Sequence, residues 1–237
     1  FEYLSDSFRP LLPVLLGASM IVAFEAALYS MGVISSFTDD AKKGASWVFV
    51  DAMFRGVFYF LPIMVAYNAS NKLKVDPWVG ASIMAAVMTP NFQSLSAKVY
   101  EPAGNGLFSE AMKFTSTHCT HNDTVASDLC TAHVFGVPLQ LNDYGGQVFV
   151  PLMMVAVMAP IYKLIKRIIP SNVQMVFVPF LTFVIMIPMT AFILGPIGIW
   201  VGTGLGTALF WINDTAPFVF AIVIPLVYPF LVPLGLH

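Results

Sequence analysis

Apolar runs of about twenty residues or more recur along this chain, and no other feature limits its fold so strongly. Leu11 to Ile34 holds one charged residue, Glu25, and the run from Val173 to Leu194 holds none. In hydrocarbon, no water is available to bond backbone N–H and C=O groups, so such a run has to close its hydrogen bonds within itself as a helix. Charged residues make up only 10% of the 237 residues, whereas a water-soluble domain carries roughly a quarter. The sequence therefore predicts an all-α integral membrane protein: a polytopic helical bundle of about six spans plus an interfacial or broken helix.

The spans can be placed in order. The first covers about Leu11 to Ile34, with Pro10 and Pro13 in its first turn, where proline costs little. Gly17, Ala18 and Ser19 offer a small face that a neighbouring helix can approach closely. The second runs from Trp47 to Ala66, and the third from Trp78 to Pro90, with a poor, broken or buried continuation toward Val99. The fourth runs from Tyr144 to Ile165 behind a Gly145-Gly146 pair, and the fifth from Val173 to Leu194. Gly195 to Asn213 alternates glycines with large apolar residues, which suits a helix at the interface or against protein. Ala216 to Leu236 is a sixth, proline-rich span. The chain stops inside this apolar run, as part of a longer protein would.

Orientation follows from basic residues. Lys72 and Lys74 fill the short turn between spans two and three, and Lys163, Lys166 and Arg167 close span four. Both clusters fall on one side by alternation, which the positive-inside rule makes cytoplasmic. The N-terminus then lies in the cytoplasm. In the turn, Asp76 is placed to cap the next helix, Pro77 to start it and Trp78 to anchor it at the headgroups.

Charges inside spans mark candidate sites by default, so Glu25, Asp51 and Arg55 are candidates. Asp51 and Arg55 sit one helical turn apart and can pair with each other, and Glu25 can be a structural glutamate within the bundle. Lys98 to Asp143 is the longest polar stretch, external by topology, with both cysteines, Cys119 and Cys130, and three of four histidines. A disulfide closing a short loop is the simpler reading. A zinc set of Cys119, His121, Cys130 and His133 and a pair of free thiols are the alternatives.

The sequence contains no phosphate-cradling Walker motif, no Gly-rich dinucleotide loop, no H-E-x-x-H and no G-x-S-x-G. A net charge of −2 gives no footprint for nucleic acid. No cofactor or metal is expected. Helices interrupted by proline and glycine instead suit a carrier, whose irregular backbone lines a cavity. Aromatic and amide side chains would complement a neutral polyol such as a sugar.

Four stretches carry a specific resemblance: FRPLLPVLLGASM, FYFLPIMVAYNASNKLKVDPWVGASIMAAVMTPNF, the run from Pro160 to Gly202, and PLVYPFLVPLGLH. In this order the chain resembles the membrane IIC domain of bacterial phosphoenolpyruvate-dependent sugar phosphotransferase systems, in the glucose superfamily and nearest its β-glucoside branch. The resemblance implies a permease of the bacterial inner membrane that moves a sugar and sees it phosphorylated by a phosphocysteine on a partner IIB domain, itself charged by IIA. The protein would then be the membrane subunit of a phosphotransferase, with the donor cysteine outside this chain. It further implies a homodimer. Residues 1–195 would form the dimer-contacting scaffold, with residues 98–143 as an external insertion, and residues 196–237 would open the sugar-carrying part. His237, in the Gly-Leu-His ending, would lie near the sugar, with Tyr144 and Asn142 as further sugar contacts. β-Glucosides are the expected substrate, with glucose, sucrose or trehalose as alternatives. An ion-coupled secondary carrier using Glu25 or Asp51, or a membrane sensor that only binds, are the readings from other classes.

Overall fold

The computed structural model describes residues 2–34, 44–93, 118–122, 127–134, 136–141, 144–216, 218 and 221. Its helices are α1 (Glu2–Phe8), α2 (Leu12–Ser30), α3 (Ala45–Tyr59), α4 (Leu61–Lys72), α5 (Pro77–Val87), the single turn α6 (Pro90–Gln93), α7 (Phe149–Ile168), α8 (Gln174–Met189) and α9 (Gly195–Thr215). Three strands lie between α6 and α7: β1 (His118–Asn122), β2 (Ser127–Val134) and β3 (Val137–Leu141). They form an antiparallel sheet in the order β1-β2-β3. Among the described residues, four helical runs are long and apolar enough to cross a membrane: Glu2–Ser30, Ala45–Lys72, Phe149–Ile168 and Ser171–Thr215. Pro77–Val87 is a shorter apolar helix. The all-α membrane class holds, and the small sheet in the polar insertion is an addition that the sequence reading did not contain.

The turn between α4 and α5 forms as its residues dictate. Leu73 returns its N–H to Ala69, and Val75 returns its own to the Ser70 carbonyl. That closure needs a left-handed residue between them, and Lys74 takes it at φ 56°. The Asp76 carboxylate then accepts the Trp78 N–H at 2.9 Å, and Pro77 occupies the first helical position. Trp78 is exposed and meets Tyr67 edge to face, with ring centroids 5.2 Å apart.

Helices α4, α5, α7 and α8 pack on one another. Val65, Ala66, Ala69, Ile83, Met84, Val87, Val150, Met154, Val155, Met158 and Met186 fill the space between them and are fully covered. Lipid tails are as apolar as these side chains, so close packing rather than escape from water holds such helices together. Small residues allow the closest approach: a Cβ on Gly80 would stand 2.0 Å from the Ser70 hydroxyl. On the other flank α1 lies along α4. Asn68 donates to the Ser7 carbonyl at 3.2 Å, the Tyr3 hydroxyl donates to the Leu152 carbonyl at 2.9 Å, and Lys72 pairs with Asp6.

Helix α2 packs along α3, and most of this pair's side chains face outward. Of the three small residues expected at a helix contact, Ala18 is covered, whereas Gly17 has nothing within 4 Å of its absent side chain and Ser19 is exposed.

Two boundaries differ from the sequence reading. The second span is two helices, α3 and α4, joined at Phe60 just ahead of Pro62. The stretch from Gly195 takes the broken, protein-packed alternative rather than the interfacial one: α9 continues α8 through a π-helical segment, Thr190–Leu194, and packs on α7. Pro196 has no N–H to return to the preceding turn, and Gly195 donates instead to the carbonyl of Thr190, five residues back. The wider turn absorbs the proline, and the helix goes on. The sixth span lies outside the described residues apart from Ala216, Phe218 and Ala221.

Candidate functional site

Four features collect around one side chain, Tyr144: three helix interruptions and the start of α7. The first is the α3–α4 junction. Gly146, in the left-handed region at φ 71°, donates its N–H to the Tyr59 carbonyl at 3.3 Å. The turn that leads into α7 therefore docks on the broken end of α3. The second is the end of α5: beyond Val87 the chain bends ahead of Pro90, and Phe92 meets the Tyr144 ring at 6.2 Å between centroids. The third and fourth are the start of α7 itself and the π segment. A Cβ on Gly195 would stand 2.2 Å from the Tyr144 hydroxyl, 2.9 Å from its ring and 2.9 Å from the Thr190 carbonyl oxygen. Only glycine leaves room there. Gly198 continues the same contact, since its Cβ would come within 2.7 Å of Val150.

This junction holds polar groups out of water. Tyr144 and Thr190 are both fully buried, and neither the Tyr144 hydroxyl nor Thr190 Oγ1 has a hydrogen-bond partner among the described residues. Gln140 Oε1, on the strand that packs against the π segment, is buried in the same way. A buried hydroxyl without a partner costs about 1–3 kcal/mol, so groups of this kind concentrate where a polar ligand or water completes them. Irregular backbone at membrane depth is tolerated where it is enclosed by protein or lines such a site. The junction therefore keeps hydrogen-bonding groups unpaired inside the protein, among the described residues.

Tyr144, picked out from the sequence, lies at the centre of the junction. Asn142 and His237 lie outside the described residues. Glu25 is buried on α2, in the separate α2–α3 pair. Asp51 is buried and accepts a hydrogen bond from Arg55 at 3.0 Å, the pairing expected from their spacing. The Arg55 side chain is half exposed. Cys119 and Cys130 stand directly opposite each other in the β1–β2 register. Among the described residues no group of three or more histidines, cysteines or acids could hold a metal ion.

Thr190, Gln140 and Gly195 were not picked out from the sequence. A signal existed for the last: Gly195, Gly198 and Gly202 recur at helical spacing on one face, directly before and after Pro196. That pattern marks a packed helix face rather than an interfacial one.

The chain is similar to known proteins over almost its whole length. A family model described as "Phosphotransferase system, EIIC" matches residues 5–237. A glucose-specific EIIBCA component of Corynebacterium glutamicum is 46% identical over the whole chain, which covers 31% of that protein. A mannose-specific EIIBCA component from the same species is also 46% identical, with 30% of it covered. A β-glucoside-specific EIIBCA component of Halalkalibacterium halodurans is 27% identical, with 34% covered. The chain thus spans about a third of the length of these relatives. No solved structure matches. A match of the family model from residue 5 to residue 237, in a chain built of membrane-length helices, makes this protein a member of the phosphotransferase system EIIC family.

Proposed function

We propose that the protein containing this chain carries a hexose across the bacterial inner membrane and couples that movement to phosphorylation of the sugar. The observation that carries the reading is the convergence of interrupted helices on the buried hydroxyls of Tyr144 and Thr190, in a chain of the EIIC family. The relatives at 46% identity are named for glucose and mannose, and the β-glucoside relative stands at 27%. A free hexose therefore replaces the β-glucoside as the preferred substrate.

In this reading a IIB domain, charged by IIA, approaches the end marked by Lys72, Lys74, Lys163, Lys166 and Arg167, on the cytoplasmic side. Positive charge there favours an anionic phosphoryl donor. The S–P bond of the phosphocysteine breaks as an O–P bond forms to the sugar hydroxyl, and that hydroxyl's proton passes to a base. His237 is assigned to this neighbourhood, and Tyr144 and Asn142 to sugar hydroxyls. Glu25 and the Asp51–Arg55 pair are assigned structural roles within the bundle. Residues 1–195 form the scaffold through which two copies pair, residues 98–143 face the exterior, and residues 196–237 begin the moving part.

The test uses inverted vesicles carrying the full-length protein, with labelled glucose, mannose or a β-glucoside. Phosphoenolpyruvate and the soluble phosphotransfer proteins are added or withheld. Label recovered as sugar phosphate only when phosphoenolpyruvate is present, with a hexose preferred, supports the proposal. A β-glucoside outrunning both hexoses overturns the sugar assignment alone. Sugar that crosses unmodified in response to an ion gradient overturns the coupling and turns attention to Glu25 and Asp51.

A further inference from the structure

We propose that Cys119 and Cys130 are joined by an intrachain disulfide that ties strand β1 to strand β2 on the outer side of the membrane. The register is the first support: the two residues are Cα partners in an antiparallel pair. Directly opposed residues in such a pair stand about 4.5–5.5 Å apart at Cα, inside the roughly 4.4–6.8 Å that a disulfide spans. They also occupy the same face of the sheet, because opposed positions share a face.

The register also separates this pairing from a metal site. Residues alternate between faces along a strand. His121 lies two positions from Cys119, on the cysteines' face, and pairs with Asp128. His133 lies three positions from Cys130 and pairs with Pro138, on the opposite face. The four residues of the zinc alternative therefore divide between two faces and do not converge on one ion.

Position gives the bridge its consequence. Cys130 is also the partner of Leu141 in β3, so Cys119, Cys130 and Leu141 form one row across the sheet. Leu141 and Leu139 are buried in the apolar core with Tyr144 and Val148, and β3 packs against the π segment. The disulfide ties the outermost strand to the row whose far end is anchored over the candidate site. The inference rests on the proposed orientation, with the hairpin on the oxidising side. In the bonding step two S–H bonds are lost and one S–S bond forms. By thiol–disulfide exchange the electron pair and the two protons pass to the disulfide of an external thiol–disulfide oxidoreductase, which becomes a dithiol.

The test takes the full-length protein in intact cells. Free thiols are first blocked with excess alkylating agent, then the protein is denatured and digested without reduction. A linked peptide pair containing Cys119 and Cys130, separating on reduction, is the expected result. Linear peptides alkylated at both cysteines overturn the bridge, as does a cross-link between Cys119 and Cys119 of two chains. A membrane-impermeant maleimide separates pairing from orientation. Labelling in intact cells only after an impermeant phosphine reductant supports both. Labelling without reductant overturns the disulfide and leaves the orientation standing, and labelling confined to broken cells overturns the orientation and the bridge that rests on it. Cys119→Ser provides the check on pairing: Cys130 should go from near-complete protection to near-complete labelling without reductant. Continued protection of Cys130 overturns its assignment to Cys119.

Discussion

The α4–α5 hairpin and the α8–α9 run contain the same punctuation and answer it in opposite ways. In the hairpin, Pro77 follows a capping aspartate, and one helix ends before another begins. In the long run, Pro188 and Pro196 flank a π turn and the helix carries on to Thr215. The difference lies in what surrounds each proline. Asn71, Lys72 and Lys74 give the hairpin polar residues that can meet the membrane surface, and Asp76 supplies the cap. Around Pro196 there is no polar residue to end a helix, and the backbone stays paired by widening its turn instead. The widened turn is also where Tyr144 fits. A proline is thus a boundary in the first region and part of a continuous, widened helix at the candidate site in the second.

The harshest way to break the second region is at Gly195. Gly195→Ala places a Cβ among the Tyr144 hydroxyl, the Tyr144 ring and the Thr190 carbonyl, two of which cannot withdraw without moving buried groups. Overpacking of this kind costs about 1–3 kcal/mol, and thermal unfolding of the detergent-solubilised protein should read it as a lowered Tm. Gly204→Ala on the same helix is the contrast, because nothing lies within 4 Å of its Cβ. That change should be neutral or stabilise by up to about 1 kcal/mol. Equal effects at the two positions would show that α9 does not seat on Tyr144.

A matched pressure on the first region is Gly80→Ala, whose Cβ would meet Ser70 Oγ at 2.0 Å. The expected cost is again about 1–3 kcal/mol, but here the obstacle is a hydroxyl with no partner among the described residues. Ser70→Ala removes that hydroxyl, so in its background the Gly80→Ala cost should fall below roughly 1 kcal/mol, a coupling that a double-mutant cycle measures directly. Additive effects would place the conflict elsewhere, at the Ala66 carbonyl 3.2 Å away.

These two regions also explain what was legible in the sequence. The hairpin was readable residue by residue, because capping, proline position and the basic turn are local signals, and each acts within the span of a few residues. The Asp51–Arg55 pair was readable for the same reason. The helical membrane class followed from the length of the apolar runs, with the low charge content in support. The continuation of α8 into α9 was not readable, since whether a proline stops or bends a helix depends on neighbours brought in from α5 and α7. Thr190 and Gln140 were hidden for that reason too: nothing near either in sequence distinguishes it from an ordinary polar residue. The sheet escaped because β1 and β2 are largely polar, and because Pro138 interrupts the alternation of Val137, Leu139 and Leu141 in β3. Tyr144 was singled out through the family resemblance, and only the fold explains its position.

A milder test separates local from tertiary causes in the hairpin. Asp76→Ala removes the side chain that accepts the Trp78 N–H and should cost about 1 kcal/mol. Asp76→Asn, which keeps an acceptor, should recover most of it. A full loss with asparagine would mean that charge, rather than the cap hydrogen bond, holds the start of α5.

The smallest expected change in stability is also the sharpest test of the second region. Tyr144→Phe keeps the ring that packs against Gly195 and Phe92 and removes only a hydroxyl without a partner among the described residues. Replacing such a group with an apolar one of the same shape is close to neutral, or slightly stabilising. Tm should therefore hold or rise slightly. If the hydroxyl serves the sugar, phosphorylation of the transported hexose should fall by roughly one order of magnitude, the scale of a single hydrogen bond to ligand. A drop in Tm with transport intact would reverse the assignment and make Tyr144 a structural brace whose hydroxyl is satisfied within the protein. A held Tm with reduced transport would tie the site to the interruption of the helices themselves, because the residue that forces Gly195 to be glycine would then be the one that meets the solute.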